Sequence, residues 1–413
     1  MNVLKSVLYM CIGRFLLKWG RCVKVSNEKI ILQPKYVADF QCDGSKCNAK
    51  CCRNSWRIDI DMETYKKYQR IKNPAMRKHI LSSIQPSTVK TGFQIKFNEE
   101  GACPLLCEDN LCYIQHNLGE EGLSETCCSY PRRVQNVGEY QIRLLSMTCP
   151  VAAEKAVYSK DGMVINQFVD NSVSRAWKLA TEAEKVKNSS DALQAINIIM
   201  GGLIILQNTA YNFEQRLVLL GLFIDRVEDC QQGGEAVANL IDYYNSEKIH
   251  MEISNLWNNW QYYPAAHKQL MAGIFKVLKR EEMLKSIAPW LEMNGNYSKE
   301  YEEKHKIVIA QIGDIIEHYW QHEWVYHAFP FALQGNLLHN YFAFLIAYEI
   351  CKLYILSMYD FNVPWDKKKI IELLGKFSKM FDHRKNFLES LVKETEIFEK
   401  EPLKLMQVLL RLE

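Results

Sequence analysis

A small cysteine-rich domain with short strands, packed on a large all-helical domain, is the architecture this sequence predicts: α+β overall and mostly α. Three observations predict it. Ten of the fourteen cysteines lie between Cys42 and Cys149. Short runs of alternating apolar and polar residues punctuate that same segment. From about residue 165 glycine and proline thin out, and apolar residues recur at helical spacing. The expected units are an N-terminal extension over 1–25, a cysteine-rich domain over 26–160 and an all-helical domain over 165–413.

The elements follow in order. Residues 3–19 are apolar but carry Lys5, Arg14 and Lys18, so no uninterrupted transmembrane run exists and Arg14 breaks any signal-peptide core. The extension reads as a basic amphipathic helix, with a weak membrane-surface anchor as the second reading. In the cysteine-rich segment, RIDID (57–61) alternates as a strand does, and Asp61 is placed to cap a short helix carrying Tyr65, Tyr68 and Ile71. GFQIKF and EYQIRLL alternate likewise around Phe93, Ile95 and Phe97, and around Tyr140, Ile142 and Leu144. Further on, Asn188–Asp191 offers a helix start, and Leu217, Leu220, Ile224 and Val227 share one helical stripe. Gly233-Gly234 reads as a helix end. Residues 336–356 are apolar nearly all round. His339, Asn340, Glu349 and Lys352 are the exceptions, which predicts a buried soluble helix. Two charged-faced helices, near 366–378 and 384–413, end the chain.

Composition sets outer limits. The chain has 413 residues, 48% hydrophobic and 24% charged, with a formal net charge of +3. That balance suits a soluble globular protein and offers no argument for nucleic acid or stable membrane insertion. Without an export signal the expected compartment is the cytoplasm. There, clustered cysteines more often bind metal than form disulfides.

The cysteines fall into four groups: Cys42, Cys47, Cys51 and Cys52; Cys103, Cys107 and Cys112; Cys127 and Cys128; and Cys149. Vicinal pairs occur twice, and two adjacent loop thiolates can serve separate sites. Asp43, Gly44 and Asn48 allow tight loops, and prolines follow Cys103 and Cys149 directly, as after a ligand in some cluster motifs. Sulfur-only ligation suits an iron–sulfur cluster or zinc. The paired C-x2-C knuckles of simple zinc sites are missing, which favours iron–sulfur, 4Fe–4S in nuclearity, with zinc and buried or redox thiols as alternatives. Lys46, Lys50, Arg53, Arg57, Arg132 and Arg133 stand nearby in sequence to offset a cluster's negative charge.

CDGSKCNAKCCRNSW, GACPLLCEDNLCYIQ, TCCSYPRR and SMTCP together resemble the flagellin lysine N-methylase family. The front half is also similar to a broader group of zinc- or iron-chelating cysteine-cluster proteins. RLVLLGLF and EWVYHAFPF…NLLHNYF carry the resemblance into the helical half. It implies methyl transfer from S-adenosylmethionine to lysine ε-amines of flagellin, and an iron–sulfur cluster. By position the implied metal ligands are Cys42, Cys47, Cys51, Cys52, Cys103, Cys112, Cys127 and Cys149. Cys107 and Cys128 are extra to the pattern and rank lower, and the stretch before residue 26 departs from it.

The residues alone show no methyltransferase signature. There is no G-x-G-x-x-G turn, and Cys47, Cys51 and Cys52 lack the C-x3-C-x2-C spacing of radical enzymes, so non-radical transfer is expected. That chemistry needs a desolvating aromatic pocket and groups that orient an amine. QHEWVYHAFPF (321–331) supplies His322, Glu323, Trp324, Tyr326 and His327. Of these, Glu323, Tyr326 and His327 are the catalytic candidates. Trp324, with Tyr130 and Arg132, forms the candidate cofactor-binding set. Asn336, His339, Asn340 and Glu349 read as satisfied core groups. Two other functions compete: a noncatalytic cluster-binding module with a helical docking scaffold, and a redox or cluster-carrying protein.

Overall fold

The computed structural model describes residues 29–44, 46–53, 56–88, 92–170, 174–183, 186, 188–229, 234–277, 285–289, 297–363, 365–383, 389, 391 and 401–410. The extension over 1–25 and its expected amphipathic helix lie outside the described residues. Strands are β1 (Ile30–Pro34), β2 (Asp59–Ile60), β3 (Ile84–Pro86), β4 (Phe93–Ile95), β5 (Arg132–Val137), β6 (Tyr140–Leu145), β7 (Ile165–Val169) and β8 (Ala180–Glu182). They form an antiparallel sheet in the order β2-β4-β3 and a mixed sheet in the order β7-β1-β6-β5-β8. The α+β, mostly helical class is as expected.

The three-stranded sheet belongs to a small core built on Ile58, Ile60, Tyr68, Ile80, Ile95 and Leu105. Its helices are short and firmly capped. Asp61 accepts from the Thr64 amide at 2.8 Å, the N-cap bond that the sequence predicts. Its other oxygen takes the Glu125 amide at 3.0 Å, which ties the helix that it caps, Met62–Gln69, to the Cys127 turn. Three helical turns carry cysteines: α1 (Lys50–Arg53), α2 (Glu125–Ser129) and α3 (Pro150–Val157), with Cys149 as the N-cap residue of the last.

The five-stranded sheet packs into a second, larger core. Its centre is β6, buried at every position, parallel to β1 and antiparallel to β5. Val137, Ile142, Leu144 and Leu145 join the helices there. Ile165–Val169 and Ala180–Glu182, expected within the all-helical region, are strands instead. The reason is edge pairing: β7 completes the free edge of β1 and β8 that of β5, so two open strand edges are closed.

The helical region holds α4 (Ser189–Leu206), α5 (Phe213–Asp229), α6 (Tyr297–Tyr326), α7 (Leu337–Ser357), α8 (Lys367–His383) and α9 (Pro402–Leu410), among shorter helices. Asn188 caps α4 through the Asp191 amide, and Asn336 caps α7 through the His339 amide. Gly234, expected at a helix end, opens a helix that runs to Tyr244. The backbone of α6 breaks helical geometry at Ile312. Helix α4 is long and apolar enough to cross a membrane by length and composition; here it packs against α5 and α6.

Helix α7 is buried nearly throughout, so its neighbours must enclose it. Contact is close: a Cβ on Gly221 of α5 would collide with Tyr341 and Met406. The charges of α7 are satisfied internally. Glu349 takes His267 Nε2 at 3.0 Å and the Tyr301 hydroxyl at 2.9 Å on one oxygen, with Lys352 Nζ 2.7 Å from the other. Glu214 accepts the Tyr348 hydroxyl at 2.7 Å and lies 3.5 Å from His305. Burial opposes ionisation of both carboxyls. For Glu349 the Lys352 charge and then His267 outweigh it, and for Glu214 His305 and Lys352 do, so each is held down to about 2.

These carboxyls ionise more readily folded than unfolded, where the ordinary value is 4.5. The stability they add is therefore complete above pH 4.5 and drains away as the pH falls towards 2. Glu349→Gln should cost about 3–5 kcal/mol at neutral pH, because it strands the Lys352 ammonium in the core. Urea unfolding checks this, and the variant should also lose much of the wild-type decline below pH 4.5.

Candidate functional site

The thiol loops converge between the two cores. Cys51 and Cys52 are consecutive on α1, with sulfurs 3.9 Å apart. Cys52 is fixed to the next loop, since its carbonyl accepts the Cys103 amide at 2.8 Å. A bridge between Leu106 and Cys112 closes the 103–112 loop back on itself. Cys103 and Cys128 lie in the small core, and Cys52, Cys112 and Cys127 pack against it. Cys149 lies in the large core.

Burial pushes Cys42, Cys103, Cys112, Cys127 and Cys149 up and neighbouring thiols add to it, whereas the contact between Cys51 and Cys52 lowers Cys51 to about 7 and raises Cys52. Cys127 rises to about 12, beside Cys112, Cys103 and Cys51. Cys149 rises to about 12, beside Cys47 and Cys51. Cys103 rises to about 11, beside Cys112 and Cys51, and Cys42 to about 11, beside Cys51 and Cys47. All eight pattern cysteines thus form one mutually repelling set. Of the two lower-ranked ones, Cys107 is raised by burial and Asp109 and in turn raises Cys112, and Cys128 is raised by burial and Glu120.

A thiolate-bound cation would relieve both the burial and the repulsion. Among the described residues no three His, Cys, Asp or Glu side chains are grouped as ligands of a single ion. A thiolate-bound cluster, larger than one ion, suits a looser all-sulfur cradle. Of the basic neighbours, Arg132 faces the thiols. It lowers Cys42 and Cys128 against their other shifts, and it donates to the Cys128 carbonyl at 3.2 Å. Lys46 pairs with Asp43, Arg53 donates to Asn110, and Arg57 pairs with Asp59.

The C-terminal end of α6 reaches this region. His322 and Glu323 are fully buried, and Tyr326 nearly so. His322 ties helix to sheet, with Nε2 3.0 Å from the Leu145 carbonyl and Nδ1 3.2 Å from Glu323 Oε1. Both ring nitrogens thus face oxygen atoms. His327 Nε2 stands 3.2 Å from Glu323 Oε2. Tyr326 stacks on His322 at 5.1 Å, and the Arg133 guanidinium lies 4.7 Å above the Tyr326 ring. Tyr36 faces the same group: burial raises its hydroxyl well above the usual range, and Glu323 and Tyr326 add to that.

Tyr130 links this group to the thiols. It is half-buried, and its hydroxyl is raised well above the usual range, first by desolvation and then by Cys149, with smaller contributions from Cys51 and Tyr326. Its hydroxyl bonds Thr148 at 3.1 Å, and its ring meets Trp56 at 5.4 Å. The Trp56 indole donates to the Cys51 carbonyl. Glu323, Tyr326, His327 and Tyr130 are therefore gathered at one junction. Arg132 leaves it for the Phe40 and Trp177 rings.

Trp324 belongs to the core: its indole donates to the Ile199 carbonyl at 2.8 Å, and a Cβ on Gly202 would lie 2.5 Å from its ring. Asn340 is satisfied by Leu333 and Asn336, and Glu349 by the partners above. Tyr36 and Arg133 join the junction without having been expected there. Arg133 carries a weak signal in its position beside Arg132 after the cysteine pair; Tyr36 carries none.

A profile of the FliB lysine N-methylase C-terminal domain matches residues 203–410. Lysine-N-methylase of Salmonella choleraesuis (strain SC-B67) is 34% identical over 146 residues, which cover 34% of this chain and 36% of that protein. Lysine-N-methylase of Salmonella typhimurium (strain LT2) is 33% identical over 146 residues, with the same coverage. Flagellar biosynthetic protein FliU of Salmonella muenchen is 33% identical over 158 residues, 37% of this chain and 92% of that protein. The chain thus spans about a third of the length of the two lysine-N-methylases. No solved structure matches it.

Trp324→Phe should lower the unfolding free energy by about 1–3 kcal/mol, because the buried Ile199 carbonyl loses its donor. Gly202→Ala should cost a similar amount, about 1–3 kcal/mol, through overpacking. Chemical denaturation of the two variants tests the placement of Trp324 in the core.

Proposed function

The chain belongs to the FliB lysine N-methylase family, and from that premise we propose that it methylates lysine ε-amines of flagellin. In this reading S-adenosylmethionine is the methyl donor, the cysteine loops hold an iron–sulfur cluster, and the protein works in the cytoplasm, a reducing compartment in which thiols stay free. Family membership carries the reading, and the relatives' printed names, lysine-N-methylase and flagellar biosynthetic protein, support the reaction and the substrate. The junction supports it chemically: a buried carboxylate and aromatic faces stand together at the end of α6.

S-adenosylmethionine, when bound, supplies an electrophilic methyl group on a cationic sulfur. The chain must bind that cation, align an amine with it and hold the amine's proton. Aromatic faces attract cations; Tyr130 provides one, while the Tyr326 ring is already taken by Arg133 and His322. A lysine ammonium is unreactive until it loses a proton, and a desolvated site favours its neutral form. Glu323 is the nearest carboxylate for that proton, and His322 and His327 flank it within 3.2 Å. The amine lone pair then forms the nitrogen–carbon bond as the carbon–sulfur bond breaks and its electron pair stays on sulfur. Cys42, Cys47, Cys51, Cys52, Cys103, Cys112, Cys127 and Cys149 would hold the cluster. Its part would be structural, holding together the loops that carry Tyr130.

The test is mass spectrometry of flagellin after incubation with S-adenosylmethionine and the anaerobically purified chain. Lysine methylation is expected, and Glu323→Gln should lower kcat by about 100-fold or more, the scale of a lost proton acceptor. Trp324→Phe, a core change, should leave kcat within a few-fold of wild type at a temperature where it stays folded. Flagellin left unmodified by folded, metal-replete protein would falsify the reading.

A further inference from the structure

Charge is unevenly placed along this chain. Residues 64–98 hold eight lysines and arginines and no aspartate or glutamate. The whole chain carries only +3, so the remainder is net acidic. The fold gathers most of this stretch into one surface. The helices Met62–Gln69 and Pro74–Ser82 pack on each other. Both turn an apolar side, with Tyr68 and Ile80, into the small core. Lys66, Lys67, Arg70, Lys72 and Lys78 are left exposed. Lys96, also exposed, joins them: its amide donates at 2.9 Å to the carbonyl of Ser83, which ends the second helix.

Little in the described residues answers this charge. Lys67 pairs with Glu63 at 2.8 Å. Among the described residues no ion pair reaches Lys66, Arg70, Lys72, Lys78 or Lys96. Like charges so placed repel one another, and an anionic partner would relieve them. The kind of anion follows from the surroundings. Base stacking needs open rings, and the rings here are engaged: Tyr65 stacks on Phe93 at 3.6 Å, and Tyr113 meets His79 at 4.8 Å. A guanidinium can fork onto a phosphate, but that of Arg77 donates to the Ile71 carbonyl at 3.2 Å. Insertion at a lipid surface needs an apolar stripe, and among the described residues these helices expose one large apolar side chain, Met62. Flexible ammonium groups spread over two helices suit the scattered carboxylates of a polypeptide.

We propose that this face docks an acidic segment of the protein substrate, apart from the lysine that reacts. This rests on the methylase reading above and deepens it by naming how the substrate is held. Two hydrogen bonds tie the face to the candidate site. Asp61, which caps Met62–Gln69, accepts the Glu125 amide, and the Tyr68 hydroxyl donates to the Gly122 carbonyl at 2.8 Å. The turn that they hold carries Cys127 and leads to Tyr130. A bound acidic segment would thus be fixed relative to the junction. It would speed encounter and lower KM without entering the methyl transfer itself.

The test compares the full chain with the variant Lys66→Gln/Arg70→Gln/Lys72→Gln/Lys78→Gln. A control, Lys160→Gln/Lys368→Gln/Lys376→Gln/Lys379→Gln, removes the same charge from exposed lysines elsewhere. Two readouts are taken: KM and kcat for flagellin, and binding of a fluorescent poly-glutamate peptide at low and high salt. The first variant should raise KM by about tenfold with kcat unchanged, and weaken the peptide by about tenfold at low salt, since each surface charge contributes a small factor. High salt should remove most of the difference. The control should behave as wild type. Flagellin methylated with the same KM by wild type and first variant overturns the docking face and leaves the methylase reading intact. Flagellin unmodified by wild type overturns the methylase reading; peptide binding lost in the first variant alone then keeps the face as a site for acidic polypeptide, and equal peptide binding overturns the face as well. Tighter binding of a single-stranded oligonucleotide or of phosphatidylserine vesicles than of the peptide, lost in the same variant, overturns the choice of a polypeptide.

Discussion

Helix α7 has no polar face, and most of the helical architecture follows from enclosing it. A helix that is apolar all round must be covered on every side, and α5, α6 and α9 supply that cover. The close approach at Gly221 shows how tightly they do so. Glu349 and Lys352 then sit where water cannot reach them, so partners must come from other helices. His267 and Tyr301 provide them. This network adds to the uniqueness of the packing, because a helix rotated out of register would strand a charge.

The same enclosure places the junction. Helix α6 lies along α7 and also contacts α4, α3 and β6, so its C-terminal end is carried to the sheet. There His322 meets the Leu145 carbonyl, and Tyr326 comes under Arg133 of β5. Strand β5 follows directly from the Cys127–Tyr130 turn. The thiol loops and the helical core are therefore joined through one rigid path: α7 fixes α6, α6 meets the sheet, and the sheet positions Tyr130 beside Cys149. A methyl-transfer site at that path would be desolvated by the large core and fixed on its other side by the cysteine loops.

Much of this was legible in the sequence where the signal was local. Asp61 and Asn188 act as the N-caps their positions suggest, because capping depends on residues only three positions apart; Asn336, read as a satisfied core group, proves to cap α7. Alternation located β2, β4 and β6, and apolar periodicity located α5 and α7. The strands at 165–169 and 180–182 were not legible, because what makes them strands is an open edge supplied by distant β1 and β5. In the site, the pattern cysteines and the 321–331 segment stood out by composition. Their convergence did not, since it depends on where α6 ends. Trp324 was misleading for a general reason: a tryptophan beside polar residues on a helix can face either way, and here it faces α4. Tyr36 and the partners of Glu349 come from elements whose meeting no local pattern encodes.

The claim that the junction binds the methyl donor is tested most directly by photo-crosslinking labelled S-adenosylmethionine to the full chain and mapping the modified peptide. Label in the peptides carrying Tyr326 or Tyr130, suppressed by unlabelled donor, is the expected result. Competable label confined to peptides remote from both, such as those around Glu349 or in the α8 and α9 helices, would contradict it and move the site away from the cysteine loops.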